Sequence, residues 1–167
     1  MSQDRLRAEI ERFDPSVPIE AAWPPPSSWY TDPEIFALER AAVFRHSWQP
    51  VARVDQLAEP GSYVSGCFVD QPWVVVRGAD GELRAFHNVC RHKGREVVTG
   101  QGKAAALVCG YHNWTYDLSG ALRMAPRMTG IEDFDRSKMS LPTLQVECWG
   151  PWVFVNWDRQ AVPLSGH

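Results

Sequence analysis

Two short cysteine and histidine clusters constrain this chain more than any other feature: Cys90-Arg91-His92 and Cys109-Gly110-Tyr111-His112, with residues 93–108 between them. Each cluster offers one thiolate and one imidazole. For four such donors to share a metal centre, the fold must bring two separate loops to the same end of one scaffold. A C-x-H stretch in a turning loop can point both side chains inward, and so can a C-x2-H stretch across a tight turn, so two such loops would clamp a centre from opposite sides. Gly94 and Gly110 stand where those turns would use a residue free to take positive backbone torsions. Backbone amides released by the turns could then point at metal-bound sulfur.

Three readings fit these donors. A binuclear iron-sulfur centre of the Rieske type takes two cysteines on one iron and two histidines on the other, which one C-x-H loop and one C-x2-H loop would supply. A tetrahedral zinc site also uses two cysteines and two histidines. Zinc modules, however, mostly space their cysteines as C-x2-4-C with the histidines later, whereas here each loop carries one of each. Four uncoordinated side chains are the third reading, and free thiols beside histidines in polar loops lack a packing reason.

The stretch Asn88-Val89-Cys90-Arg91-His92-Lys93-Gly94 resembles the first ligand loop of the Rieske family, and Cys109 to Gly120 resembles its second loop with the hairpin that follows. The resemblance implies a Rieske 2Fe-2S cluster held by Cys90, His92, Cys109 and His112, one-electron transfer, and no catalytic residue of the chain's own. Gly110, where many members carry proline, and Asn113, where many carry glycine, are departures that leave all four ligands in place. Respiratory and photosynthetic members add a disulfide between the loops and a serine beyond the second histidine. Arg95, Tyr111 and Trp114 stand in those neighbourhoods instead. The resemblance therefore implies an oxygenase-type centre toward the lower end of the roughly −150 to +300 mV Rieske range.

At 167 residues and 44% hydrophobic content the chain is long enough for one ordinary domain and short for two. Its first ten residues are charged rather than apolar, and no run approaches the roughly 18 apolar residues of a membrane span, so neither membrane nor secretion is indicated and a cytoplasmic setting is expected. Cys67 and Cys148 fit buried free thiols in a reducing compartment, with a disulfide between them as the alternative. A net charge of −3 gives no case for nucleic-acid binding.

Along the chain, residues 1–29 read as a loosely organised extension ending in the Pro24-Pro25-Pro26 connector. Residues 30–47 form a helical lead, capped by Thr31 or Asp32 with Pro33 in the first turn and running to about Phe44. From Trp48 the texture changes to short apolar runs: 51–54, 61–69, 73–77 and 83–89, then 114–117, 121–124, 145–148 and 152–157. Gly78 to Gly81 and Leu118 to Gly120 read as hairpin loops. This grammar predicts a mainly β, antiparallel sandwich or barrel over 48–160 with an N-terminal helix and a tail at 161–167. The family resemblance narrows it to the Rieske β-sandwich with the cluster-binding loops at its tip.

The lead from Tyr30 to Leu57 resembles that of oxygenase alpha subunits, both those acting on choline, betaine or carnitine and the ring hydroxylases. Such subunits hold a mononuclear Fe(II) on two histidines and a carboxylate in a second domain. His46, His87 and His167 share no motif here, so that domain is expected to lie outside these residues. The implied partners are a flavin or ferredoxin reductase as electron donor and an oxygenase catalytic domain or subunit as acceptor. A free-standing ferredoxin-like carrier and a zinc-stabilised interaction module are the alternatives. Arg91, Lys93 and Arg95 could dock an acidic reductase or be solvated loop charges. Trp114 and Tyr116 could cover the cluster or pack the core, and Trp149, Trp152 and Trp157 are expected as core or interface anchors.

Overall fold

The computed structural model describes residues 3–128 and 130–166 and divides the chain into two compact units, residues 1–45 and 46–167. In the first unit, helices α1 (Gln3–Ile10), α2 (Ser28–Thr31) and α3 (Pro33–Glu39) are followed by a π-helical turn, Arg40–Phe44. The Asp32 carboxylate caps α3 by accepting from the Glu34 amide at 2.9 Å, and Pro33 occupies the first turn, where its missing N–H costs nothing. The expected lead helix is thus present, with Asp32 as its cap.

The loosely organised reading of the extreme N-terminus was wrong, because α1 forms there. Its residues are strong helix formers supported by an Arg7–Glu11 pair at i,i+4. The Ser28 hydroxyl donates to Glu9, and the Trp29 ring meets Phe13 edge-on at 5.6 Å. These contacts lie about twenty residues apart in sequence, where local pattern gives no signal.

The second unit is antiparallel β. Its strands are β1 (Gln49–Arg53), β2 (Ser62–Phe68), β3 (Gln71–Arg77), β4 (Leu83–His87), β5 (Gln101–Lys103), β6 (Leu107–Val108), β7 (Thr115–Tyr116), β8 (Leu122–Met124), β9 (Thr143–Trp149) and β10 (Trp152–Asn156). They form a seven-stranded sheet, β1-β10-β9-β4-β3-β2-β5, and a three-stranded sheet, β6-β7-β8. Strand β2 ends at Phe68, because Val69 and Asp70 turn the chain at φ 47° and 62° before Phe68 pairs with Gln71. Both β5 and β6 escaped the sequence reading. The residues of β5 are polar and exposed and join the sheet through backbone bonds alone, while β6 is only two residues long.

Strand β3 explains the apolar run Trp73-Val74-Val75-Val76, all of it buried. Alternate side chains point to opposite faces of a strand. Val74 and Val76 enter a core with Phe86, Leu107, Trp114, Tyr116, Cys90 and Cys109. Trp73 and Val75 enter a second core with Ala52, Leu57, Ala85, Val153 and Val155. Both faces of β3 and β4 are therefore covered, which is why they lack the apolar and polar alternation of a half-wet strand. Each fully buried aliphatic side chain contributes about 1.5–3 kcal/mol.

Cys67 and Cys148, expected inside, are exposed on β2 and β9. Trp149 and Trp152 are exposed as well, so they do not anchor the core, while Trp157 stacks on Phe68 at 5.5 Å. No helix among the described residues is long and apolar enough to cross a membrane.

Candidate metal centre

The two donor loops hang from adjacent sheets: residues 88–100 join β4 to β5, and residues 109–114 join β6 to β7. They close by the same hydrogen-bond scheme. The Cys90 amide donates to Arg95 O and the Gly94 amide returns to Cys90 O, at 2.8 and 3.0 Å. The Cys109 amide donates to Trp114 O and the Asn113 amide returns to Cys109 O, both at 2.9 Å. Gly94 (φ 72°) and Asn113 (φ 57°) occupy equivalent left-handed positions. Asparagine tolerates that conformation better than most residues with a Cβ, so this departure from the family pattern preserves the loop's shape. Gly110 is not in the left-handed region and a Cβ there would meet nothing within 4 Å, so the turn does not need a glycine at that position.

Asn88 ties off the first loop. Its buried side chain accepts from the Val97 and Val98 amides and donates to Val98 O at 2.7 Å. Sequence reasoning names Asn88 in the first loop but not this role, because its partners lie nine and ten positions away.

The donors converge like with like. The Cys90 and Cys109 thiols are buried side by side. Burial pushes the Cys109 thiol up, and its neighbour Cys90 adds to this, while the Tyr111 and His112 amides, which point at the sulfur, pull the other way. The Tyr116 hydroxyl lies 3.4 Å from Cys90 Sγ and accepts from the Arg91 amide at 3.0 Å, leaving its own proton for the sulfur. Burial raises the Tyr116 phenol well above its ordinary value, so it stays a donor.

The imidazoles form the other pair, His92 and His112, with ring centroids 4.6 Å apart. Trp114, buried and edge-on to Phe134, stacks parallel on His92 at 4.9 Å, and exposed Tyr111 covers His112 at 3.8 Å. Burial, then His112 and Lys93, lower the His92 pKa and favour neutral imidazole, the form that binds metal.

His92 Nδ1 is buried without a hydrogen-bond partner. An orphaned ring nitrogen is costly unless a partner completes it, and a bound metal would do so. Among the described residues, no three His, Cys, Asp or Glu side chains are arranged to hold one metal ion. Tetrahedral zinc asks all four donors to meet at one point, whereas a binuclear centre asks for a thiol pair beside an imidazole pair. The remaining histidines stay apart: His87 ends β4, His46 bonds Asp158 at 2.8 Å, and His167 lies outside the described residues.

Fold and site together define an antiparallel β protein that presents two thiols and two imidazoles from paired loops. The Rieske [2Fe-2S] domain model matches residues 47–135, more than half of the chain, and the chain belongs to that family. It is 44% identical over 146 residues to choline monooxygenase, chloroplastic, of Arabidopsis thaliana, covering 87% of this chain and 35% of that protein. It is 39% identical over 143 residues to the carnitine monooxygenase oxygenase subunit of Acinetobacter pittii, covering 85% of this chain and 38% of the relative. The apo crystal structure of the quaternary ammonium Rieske monooxygenase CntA superposes with a TM-score of 0.82 at 38% identity, over 87% of this chain and 43% of that one. Naphthalene 1,2-dioxygenase from Rhodococcus sp. shares the fold at 26% identity with a TM-score of 0.87, over 99% of this chain and 38% of that one. The chain thus spans little more than a third of the curated relatives' length.

Proposed function

We propose that Cys90 and Cys109 hold one iron of a Rieske 2Fe-2S cluster, that His92, through Nδ1, and His112 hold the other, and that the chain relays single electrons for a Rieske oxygenase. The observation that carries this reading is the pairing of thiol beside thiol and imidazole beside imidazole. When bound, such a cluster supplies a one-electron couple. The Tyr116 hydroxyl and the Tyr111 and His112 amides stabilise negative charge on the two sulfurs. Trp114 keeps water from one face of His92, fixing the ring for ligation. On this reading residues 48–160 form the electron-transfer body, with residues 30–47 as its helical lead.

The relatives' activities point to an oxygenase acting on a quaternary ammonium compound such as choline, carnitine or glycine betaine. A flavin or ferredoxin reductase would supply electrons, and a mononuclear-iron catalytic domain or subunit would accept them. Iron and acid-labile sulfide analysis with electron paramagnetic resonance tests the reading. The expected result is two irons and two sulfides per chain, visible colour, and a rhombic signal on one-electron reduction. A colourless protein carrying one zinc overturns it.

A further inference from the structure

The imidazole of His92 lacks the support that a ligating histidine ordinarily has. Such a ring is usually oriented by a hydrogen bond at the nitrogen turned away from the metal, to a carboxylate or a backbone carbonyl. Among the described residues neither ring nitrogen of His92 has a hydrogen-bond partner. Its orientation within the chain comes instead from Trp114, whose indole lies within 5° of parallel to the imidazole, 4.9 Å away between centroids. Trp114 in turn has nothing polar to hold it: the ring is buried and its N–H has no acceptor, so packing alone fixes its plane. The other aromatic ring that meets it is Phe134, edge-on at 5.8 Å and 67°. Edge-to-face pairs at such distances are favourable beyond the area they bury. Phe134, Trp114 and His92 thus form a series of three rings that ends on a donor.

The segment that carries Phe134 is shaped around that contact. From residue 130 to residue 138 every residue is exposed except Phe134. Among the described residues of 126–134 the only hydrogen bond runs from the Ile131 amide to Met128 O at 3.4 Å, inside the segment itself. Arg127 and Asp133, the latter directly before Phe134, take left-handed torsions at φ 65° and 60°. That conformation is costly for a residue with a Cβ and persists only where surrounding contacts hold it. Met128 and Phe134 supply such contacts by packing this stretch onto the cysteine core. Beyond Phe134 the chain is tied down again, by the Asp135 carboxylate on the Ser137 amide and by the Leu141 amide on Gly120 O, both at 2.9 Å. His112 is served differently, because its cover, Tyr111, is 59% exposed and tilted by 31°.

We infer that Phe134 is a positioning residue for this site: acting through Trp114, it holds the His92 imidazole in the plane in which it ligates, while His112 has no such clamp. The inference rests on the proposed 2Fe-2S reading and goes beyond it by making the two histidine ligands unequal and by giving the 126–134 segment a purpose.

Phe134→Ala, Phe134→Leu and Phe134→Tyr test it in the iron-loaded chain, with Met139→Ala, which strips an apolar side chain from the same core, as the control. Two properties are read: the rate at which a chelator removes iron, and the histidine nitrogen couplings in pulsed electron paramagnetic resonance of the reduced, ¹⁵N-histidine-labelled protein. The expected result for Phe134→Ala is iron loss about tenfold faster, in line with the loss of an outer support of a ligating histidine. One of the two nitrogen couplings should shift and the other keep its wild-type value. Phe134→Tyr keeps the ring edge and should restore both properties, whereas Phe134→Leu keeps bulk without a ring and should leave the coupling shifted. Met139→Ala should lower the urea midpoint and leave both couplings alone.

Couplings unchanged in Phe134→Ala and Phe134→Leu overturn the proposal, since Phe134 then only fills space. Equal shifts in both couplings overturn it also, as does full restoration by Phe134→Leu. If Phe134→Ala sheds its iron during preparation, Phe134→Leu decides through its couplings. Iron shed by both supports the proposal when Phe134→Tyr and Met139→Ala keep theirs, and overturns it otherwise. A wild-type chain without two irons, or without histidine coupling, would instead defeat the 2Fe-2S reading, and measuring the wild type first separates the two failures.

Discussion

The two cores on either side of β3 and β4 are built from the same strands to different ends. One is filled by Leu57, Trp73, Val75, Val153 and Val155, and contains nothing that a metal would need. The other, using Val74, Val76 and Phe86 from the same two strands, encloses both cysteines and is lined by Trp114, whose indole nitrogen has no partner, and by the Tyr116 hydroxyl. The plain core has one unpartnered polar atom of its own, the Trp157 indole nitrogen at its edge. What sets the cysteine core apart is its donors, two thiols with the unpartnered His92 Nδ1 nearby, which a bound metal would complete.

Breaking each core should therefore give different symptoms. The largest effect is expected from Cys109→Ser, which should abolish iron binding, read by metal analysis and loss of colour. Leu57→Ala should leave iron content and spectrum unchanged while costing about 2–5 kcal/mol in urea unfolding of the loaded protein. Equal damage to both properties by either variant would dissolve the distinction. Next in size is iron removal by a chelator. Amide exchange should accelerate across residues 88–100 and 109–114, while β1, β9 and β10 keep their protection.

A smaller effect isolates one hydrogen bond. Tyr116→Phe removes the hydroxyl aimed at Cys90 and should lower the midpoint potential by about 20–65 mV, taking 0.5–1.5 kcal/mol for the bond and 59 mV per tenfold for one electron. An unchanged potential by redox titration would mean that the hydroxyl serves packing alone.

The smallest effect is a pH dependence in the hairpin that follows the second donor loop. Burial works to raise the Asp117 carboxyl, but Ser119, Arg123 and the Ala121 amide together hold it below the usual aspartate value. Its contribution is fully present at neutral pH and is lost as pH falls below about 3.8 through the lower folded value. Asp117→Asn should cost about 1 kcal/mol at pH 7 and flatten the acid limb of a urea-melt series. An identical acid limb in the variant would remove Asp117 from that role.

What the sequence could tell depended on how local each cause was. The donor loops, the Asp32-Pro33 helix start and the hairpins around Gly78 and Gly120 are written in adjacent residues and were legible. The knot made by Asn88 was not, and neither was the Tyr116 bond to Cys90, 26 positions away, because both depend on which strands become neighbours. The split of β3 between two cores is visible in hindsight as an unbroken apolar run, but such a run says only that both faces are buried, not what each face meets. Asn113 looked like a departure and is a left-handed loop residue equivalent to Gly94. Sulfur-rich loops gave the correct family, whereas Cys67 and Cys148, apolar by type alone, were placed inside and lie at the surface.

The pairing of thiol with thiol and imidazole with imidazole is tested most directly by pulsed electron paramagnetic resonance on the reduced protein carrying ¹⁵N-labelled histidine. The expected result is two strongly coupled histidine nitrogens on one iron, both lost when His92 and His112 are replaced together by cysteine. A signal without histidine nitrogen coupling, or with only one such nitrogen, would contradict it.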